Sequence, residues 1–382
     1  MPLPEPTADA RAHSERLAQH IRSQIGASGG WIGFARYMEL ALYAPGLGYY
    51  MAGARKLGRD GDFVTAPEIS PLFGQTLAHQ VTQAFDAGLE EILEIGAGSG
   101  ALAASLLEEL DRMGRLPGRY LILELSADLR ERSRDTLAAR VPHLMQRVAW
   151  LNGLPPAFTG VVLGNEVLDA MPVDLVRVAD PDIEEAGVEA EPDGSFAWAW
   201  RPAPGRLSEA ARELELPAGY VTEIGLVARG FVTSLAESLD RGLVLFIDYG
   251  FPRHEYCHPQ RATGTLMCHY RHHAHVDPFF LPGLQDITSH VDFTAIADAG
   301  VSAGMELLGY TTQAQFLLNC GLTDLLARVP PEDAGRYLPL ANQANRLLSP
   351  SEMGELFKVV AFGKGLDLPL IGFASGDRMH TL

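Results

Sequence analysis

The chain has 382 residues, 47% hydrophobic and 20% charged, enough apolar side chain for a core larger than one ordinary domain. Its formal net charge of −18 argues against a nucleic-acid partner, since that affinity rests on neutralising phosphates with Lys and Arg. Three cysteines (Cys257, Cys268, Cys320) cannot build a disulfide framework, and the absence of any apolar run of about eighteen residues predicts no membrane insertion.

The first residues, Met1 to Pro6, are proline-rich and acidic, with neither the apolar stretch of a signal peptide nor the Arg-rich character of a transit peptide. The expectation is a cytoplasmic, bacterial protein. Periodicity predicts an amphipathic helix over 7–30, with Leu17, Ile21 and Ile25 on one face, and a second helix over 34–43. Pro45, Gly46 and Gly48 then break the pattern, and 44–70 reads as a long loop whose Tyr49, Tyr50 and Phe63 suggest an ordered lid.

A helix over about 70–87 leads into alternating elements: strand 91–95, helix 100–112, strand 119–125, helix 127–139, and strands near 149–151 and 160–164. Such alternation implies an α/β fold, a parallel doubly wound sheet with helices on both faces. Short β-like runs at 173–178 and 196–200 flank an acidic, turn-rich piece that reads as an inserted hairpin. A helix over 221–239 and strand 242–250 resume the rhythm, followed by a polar His-rich segment to about 290. A helix at 292–299, a strand near 305–310, two further helices and a closing strand at 356–362 complete the pattern. The expected organisation is therefore 1–69 for N-terminal helices and lid, 70–178 for the core, and 179–220 for the hairpin. The second half of the core would occupy 221–382, with a His-rich insertion at 251–345 and a closing strand at 356–363.

The most informative stretch is Glu94-Ile95-Gly96-Ala97-Gly98-Ser99-Gly100, where a buried-type strand ends in an acid and three alternate glycines open a helix. Glycines let the backbone turn sharply and a ligand approach closely. Gly96-x-Gly98-x-x-Ala101 also satisfies the dinucleotide fingerprint, which would make the chain an NAD(P)-dependent oxidoreductase. Glu94, however, gains nothing beside a diphosphate, whereas a ligand carrying ammonium and sulfonium groups gains a counter-charge. S-adenosyl-L-methionine carries both. Glu124, near the end of the next strand, can accept ribose hydroxyls from either cofactor class. No Tyr-x-x-x-Lys or comparable proton-donor pairing for hydride chemistry stands out in the sequence.

Asn165, Glu166 and Asp169 follow the fourth strand, where ligands of open α/β sheets lie. If a helical turn begins there, the spacing puts Glu166 and Asp169 on one side, suited to gripping a guanidinium and aiming it at a sulfonium methyl. The alternative is a helix N-cap made by Asn165 or Asp169. Asp248, with Tyr249 beside it, ends the fifth strand and either lines an acceptor pocket or forms a turn. His290 is a candidate substrate contact. Cys257, His258, Cys268, His269, His272, His273 and His275 match no zinc spacing, so no metal is expected.

Leu42-Tyr43-x-Pro45-x-x-Gly48-Tyr49-Tyr50, Gly61-Asp62-Phe63-x-Thr65-Ala66-Pro67-Glu68-Ile69-Ser70 and the glycine motif form one ordered series. Asn165-Glu166-x-x-Asp169-Ala170-x-Pro172, Asp248-Tyr249-Gly250, Gly264-Thr265-Leu266, Asp277-Pro278 and His290-Val291-Asp292-Phe293 continue it. Together they resemble the MidA family of S-adenosyl-L-methionine-dependent methyltransferases. The resemblance implies a class I methyltransferase fold, Rossmann-like with its last strand antiparallel, and an N-terminal lid. It also implies methylation of an arginine on a partner protein, with symmetric dimethylation and a respiratory complex I subunit as the mitochondrial precedent. By position, Asp62 and Glu68 would face the cofactor from the lid, and Asn165, Glu166 and Asp169 would face the acceptor. A homodimer and a non-catalytic assembly role both stay open.

Overall fold

The computed structural model describes residues 3–52 and 64–382, which divide into two compact units. One unit takes in 64–167, 231–251 and 293–382. Its strands are β1 (Glu91–Ile95), β2 (Arg119–Leu123), β3 (Val148–Leu151), β4 (Phe158–Asn165), β5 (Leu239–Phe251), β6 (Glu306–Thr312) and β7 (Phe357–Lys364). They lie in the order β3-β2-β1-β4-β5-β7-β6. The first five are mutually parallel, and β7 runs antiparallel between β5 and β6, as the resemblance implied.

A sheet covered on both faces needs strands that are apolar throughout rather than alternating. Leu243 to Ile247 of β5 and Val359 to Phe362 of β7 are buried without interruption. The helices Pro71–Asp86 and Ala101–Arg112 can approach closely because residue 74 is glycine: a Cβ there would lie 2.1 Å from Ser105 Oγ. Ser70 caps the first of these helices by accepting the Leu72 N–H, and Ser126 caps Ala127–Arg140 through the Leu129 N–H. Strand order reverses between β1 and β4, so the loops leaving their carboxyl ends flank the crevice where ligands of this architecture bind.

The other unit gathers 1–63, 168–230 and 252–292, of which 3–52 and the two later segments are described. Segments that lie far apart in the sequence thus share one core, built from Leu17, Ile21, Phe34, Tyr37, Val173, Leu175, Val188, Cys268 and Ile287 among others. Its helices Ala8–Ala27 and Phe34–Tyr43 accompany a five-stranded sheet of Ile32–Gly33, Asp174–Val178, Ile183–Ala190, Phe196–Pro202 and Val221–Ile224.

Several sequence expectations change. The expected hairpin is a meander, because the acidic piece itself supplies the strand Ile183–Ala190, paired on both sides. The helix expected over 221–239 is a strand, Val221–Ile224, followed by a helix, Leu226–Ser238. Pairing of Val221–Ile224 with Asp174–Val178 outweighs the local helical pattern. The His-rich stretch folds into a three-stranded sheet, Met267–Tyr270, His273–His275 and Asp286–Thr288, and of the expected 251–345 insertion only 252–292 belongs to the second unit. Three helices, not two, separate β6 from β7.

Candidate functional site

The glycine motif forms the turn between β1 and the helix Ala101–Arg112. Gly96, Gly98 and Gly100 all have left-handed φ (68°, 53° and 81°), a region where a side chain is strained. Close neighbours constrain two of them further. A Cβ at Gly100 would lie 2.9 Å from the Ser133 backbone, and one at Gly96 would lie 3.1 Å from the Val167 side chain, which leaves β4.

Glu124 stands directly beside this turn. It is 6% exposed and accepts the Gly98 N–H at 3.1 Å and the Ser126 N–H at 2.9 Å. Burial pushes its carboxyl up, opposed by backbone N–H groups of Ser126, Gly98 and Leu125 and by the Arg130 charge. With one Gly98 N–H already on a carboxylate, the turn lacks a donor that a diphosphate would need. A carboxylate has about four lone-pair sites, so Glu124 retains capacity for ribose hydroxyls. The exposed apolar side chain of Leu125 (64%) follows it. These features fit a nucleoside with a cationic tail better than a dinucleotide.

Glu94 lies in β1, two residues before the first glycine of the turn, as its sequence position suggested, but its side chain is enclosed. It is 2% exposed, one register step inside the turn, and accepts the Tyr120 hydroxyl at 2.7 Å. Burial raises its carboxyl to about 7, with the Tyr120 hydrogen bond lowering it and nearby Glu124 raising it. Its influence on a bound cation would therefore be through space rather than by an exposed edge. Tyr120 is the partner that sequence reading missed; it pairs with Ile92 and reaches Glu94 diagonally across the strands, and a tyrosine inside an apolar strand is the signal that could have found it.

The segment Thr65-Ala66-Pro67-Glu68-Ile69-Ser70, read as loop, contains a one-turn helix, Ala66–Ile69. Glu68 accepts the hydroxyl of Ser99, inside the glycine turn. At the other end of this helix the Ala66 N–H donates to Glu166 Oε1 at 3.3 Å. One short helix thus ties the turn after β1 to the turn after β4. Asp62, expected beside Glu68, lies outside the described residues.

The turn after β4 departs from expectation. No helical turn begins at Glu166; its φ is 53°, unusual for a residue with a side chain, and no residue of 166–173 is helical. Spacing therefore does not place Glu166 and Asp169 on one face, and no helix follows for Asn165 or Asp169 to cap. The left-handed Glu166 is held by its N–H to the Ile247 carbonyl (2.8 Å), by Asn165 Nδ2 to Glu166 Oε1 (3.0 Å), and by the Ala66 contact.

Asp248 is 1% exposed and accepts the N–H of Val167 at 3.0 Å and of Tyr249 at 2.9 Å. It lies inside β5, three residues before the strand ends, and holds the Glu166 turn from there rather than forming a turn of its own. The half-buried Tyr249 ring packs edge-on against Phe357 at 5.4 Å, with the sheet core.

Asp169 and His290 belong to the other unit. Asp169 is 5% exposed; its carbonyl accepts the Ser289 N–H at 3.1 Å, while Tyr43 donates to the Ala170 carbonyl at 3.0 Å. Tyr43 and Tyr50 stack at 5.4 Å, and Tyr50 donates to the buried Asp286 at 2.9 Å. Asp286 and Tyr43 had no role in the sequence reading, which took Tyr49 and Tyr50 only as marks of an ordered lid. Among the described residues, no group of three or more His, Cys, Asp or Glu is placed to hold a metal, and no helix is long and apolar enough to cross a membrane.

Comparison with known proteins identifies the family. A mitochondrial protein arginine methyltransferase NDUFAF7 homolog from Drosophila melanogaster is 29% identical over 98% of this chain and 92% of its own length. Its counterpart from Danio rerio is 27% identical over 90% and 86%. A crystal structure from Burkholderia thailandensis, bound to S-adenosyl-homocysteine, is 55% identical, covers both chains completely and superposes with a TM-score of 0.96. A family model described as "Putative S-adenosyl-L-methionine-dependent methyltransferase" matches residues 74–311. The match spans the glycine turn, Glu124 and the turn after β4, and the chain belongs to this family of S-adenosyl-L-methionine-dependent methyltransferases.

Proposed function

We propose that this methyltransferase transfers its methyl group to an arginine guanidinium on a partner protein. The observation that carries the reading is Glu166, pinned with left-handed φ at the end of β4 and joined by one short helix to the glycine turn. Strained residues of this kind persist where the surrounding structure over-determines them, and they cluster at functional sites. The names of the curated relatives support an arginine acceptor. A net charge of −18 is compatible with a cationic peptide.

The bound cofactor supplies a methyl group activated by its sulfonium. Gly96, Gly98 and Gly100 would let the ligand lie against the main chain, Glu124 would accept ribose hydroxyls, and Glu68 would fix Ser99 within the turn. Guanidinium stays protonated at ordinary pH, so its nitrogens are poor nucleophiles until positive charge is drawn away from the attacking one. The Glu166 carboxylate, oriented by Asn165 and Ala66, would accept guanidinium N–H bonds, localise the charge and receive the proton released on transfer. Asp169 and His290 are carried forward from the sequence reading as proposed acceptor contacts. Positioning and charge stabilisation would supply most of the rate.

Mass spectrometry of the proteome from a strain lacking this chain tests the acceptor class. One or more methylarginine sites should disappear and return with the wild-type chain but not with Glu166→Gln. A methylarginine inventory identical in both strains would refute arginine as the acceptor. The site that disappears would name the partner, for which a respiratory complex I subunit is the candidate drawn from the resemblance.

A further inference from the structure

Glu223 lies in the strand Val221–Ile224 and is 3% exposed. Burying a carboxylate costs several kcal/mol unless its lone pairs are filled. They are filled here by one loop and one tyrosine. Oε1 accepts the N–H of Thr265 at 2.8 Å and of Leu266 at 2.9 Å; Oε2 accepts the Thr265 hydroxyl at 3.0 Å and the Tyr256 hydroxyl at 3.1 Å. The approach is so close that a Cβ on residue 264 would lie 2.3 Å from Oε1, and Gly264 has a φ of 84°. Gly264-Thr265-Leu266 is thus shaped around this carboxylate.

The connection continues toward the acceptor-side groups. Thr265 Oγ1, while donating to Glu223, accepts the His290 N–H at 3.1 Å. The neighbouring Ser289 N–H donates to the Asp169 carbonyl at 3.1 Å. Both candidate acceptor residues are therefore attached to one short backbone stretch, and that stretch is attached through one hydroxyl to Glu223.

We propose that Glu223 is a positioning residue for methyl transfer, acting through the Thr265 hydroxyl to set the backbone that carries His290 and braces Asp169. It rests on the acceptor-side reading of those two residues given above. A glutamine at 223 has only one acceptor oxygen and cannot accept from both backbone N–H groups and both hydroxyls. Thr265→Val removes the hydroxyl at nearly constant shape, and Thr265→Ser keeps it.

The test uses the full chain as wild type and as Glu223→Gln, Thr265→Val and Thr265→Ser. Hydrogen exchange at the Ser289 and His290 amides is read without any acceptor. Methyl transfer is then read as label from tritiated S-adenosyl-L-methionine into protein extract of the deletion strain, at increasing extract concentration. Exchange at both amides should accelerate about tenfold in Thr265→Val and Glu223→Gln and stay near wild type in Thr265→Ser. Apparent KM for extract protein should rise about fivefold or more in Thr265→Val, with S-adenosyl-homocysteine affinity unchanged, and recover in Thr265→Ser. Unchanged exchange in Thr265→Val overturns the proposal, as does faster exchange with an unchanged KM. Failure of Thr265→Ser to restore KM overturns it too, and the threonine pair decides the matter if Glu223→Gln does not fold. A wild-type enzyme that labels no protein overturns the acceptor reading and this proposal with it, a result told apart from the others because the exchange pattern is obtained independently.

Discussion

The turns after β1 and after β4 lie on the same edge of one sheet but are built in opposite ways. The first takes its left-handed backbone from three glycines, and its partners, Glu124 and Glu68, approach from outside. The second forces a glutamate into the same region of backbone space and holds it with bonds from β5 and from the helix Ala66–Ile69. A turn of glycines gives room to a ligand; a turn around a restrained side chain gives that side chain a fixed direction. On the proposed reading, the first turn holds the cofactor and the second does the chemistry on the acceptor.

Separating the two roles is the sharpest way to test this division. Glu166→Gln keeps the shape of the turn but removes the charge, so turnover should fall about 100-fold while affinity for S-adenosyl-homocysteine stays within about threefold. Steady-state label transfer and calorimetry read the two quantities, and unchanged turnover would remove Glu166 from the chemistry. A smaller effect is expected from the support beneath it. Asp248→Ala deprives the N–H groups of Val167 and Tyr249 of their buried acceptor, which should cost about 1–3 kcal/mol of stability by denaturant unfolding. No loss would mean that those groups find other partners.

The smallest effect concerns Glu94 and depends on pH. Its folded carboxyl titrates at about 7, above the value of about 4.3 for an unperturbed glutamate. The folded state therefore binds that proton more tightly than the unfolded chain, so this group's contribution to stability falls as pH rises between those values and is level above them. Glu94→Gln removes the titration. The Tm of the variant minus that of wild type should increase from about pH 5 to about pH 8, and a difference independent of pH would contradict the burial of this carboxylate.

What could be read from the sequence follows the same contrast. The glycine turn was legible because left-handed backbone at alternate positions leaves glycine as the ordinary solution, and Glu124 because an acid ending an apolar strand has few other uses. The apolar runs of β1, β4, β5 and β7 were legible as strands buried on both faces. The left-handed Glu166 was not, since nothing in its residue type signals that conformation and the bonds that impose it come from 66 and 247. Val221–Ile224 was read as helix because its strand partner lies near 176, beyond any local window. The three-stranded sheet at 267–288 escaped for the same reason: its pairing, not its His-rich composition, defines it. Glu223 had no motif of its own, yet a lone acid among Val221, Thr222 and Ile224 is the pattern of a buried carboxylate that needs partners.

The cofactor's resting place on the glycine turn is tested most directly by calorimetric titration of S-adenosyl-homocysteine into wild type and Gly98→Val. Gly98 has a φ of 53° and donates its N–H to Glu124, so a β-branched side chain there should abolish measurable binding. Circular dichroism should meanwhile report a folded protein. Wild-type affinity in a folded Gly98→Val would place the cofactor elsewhere and contradict the assignment of this turn.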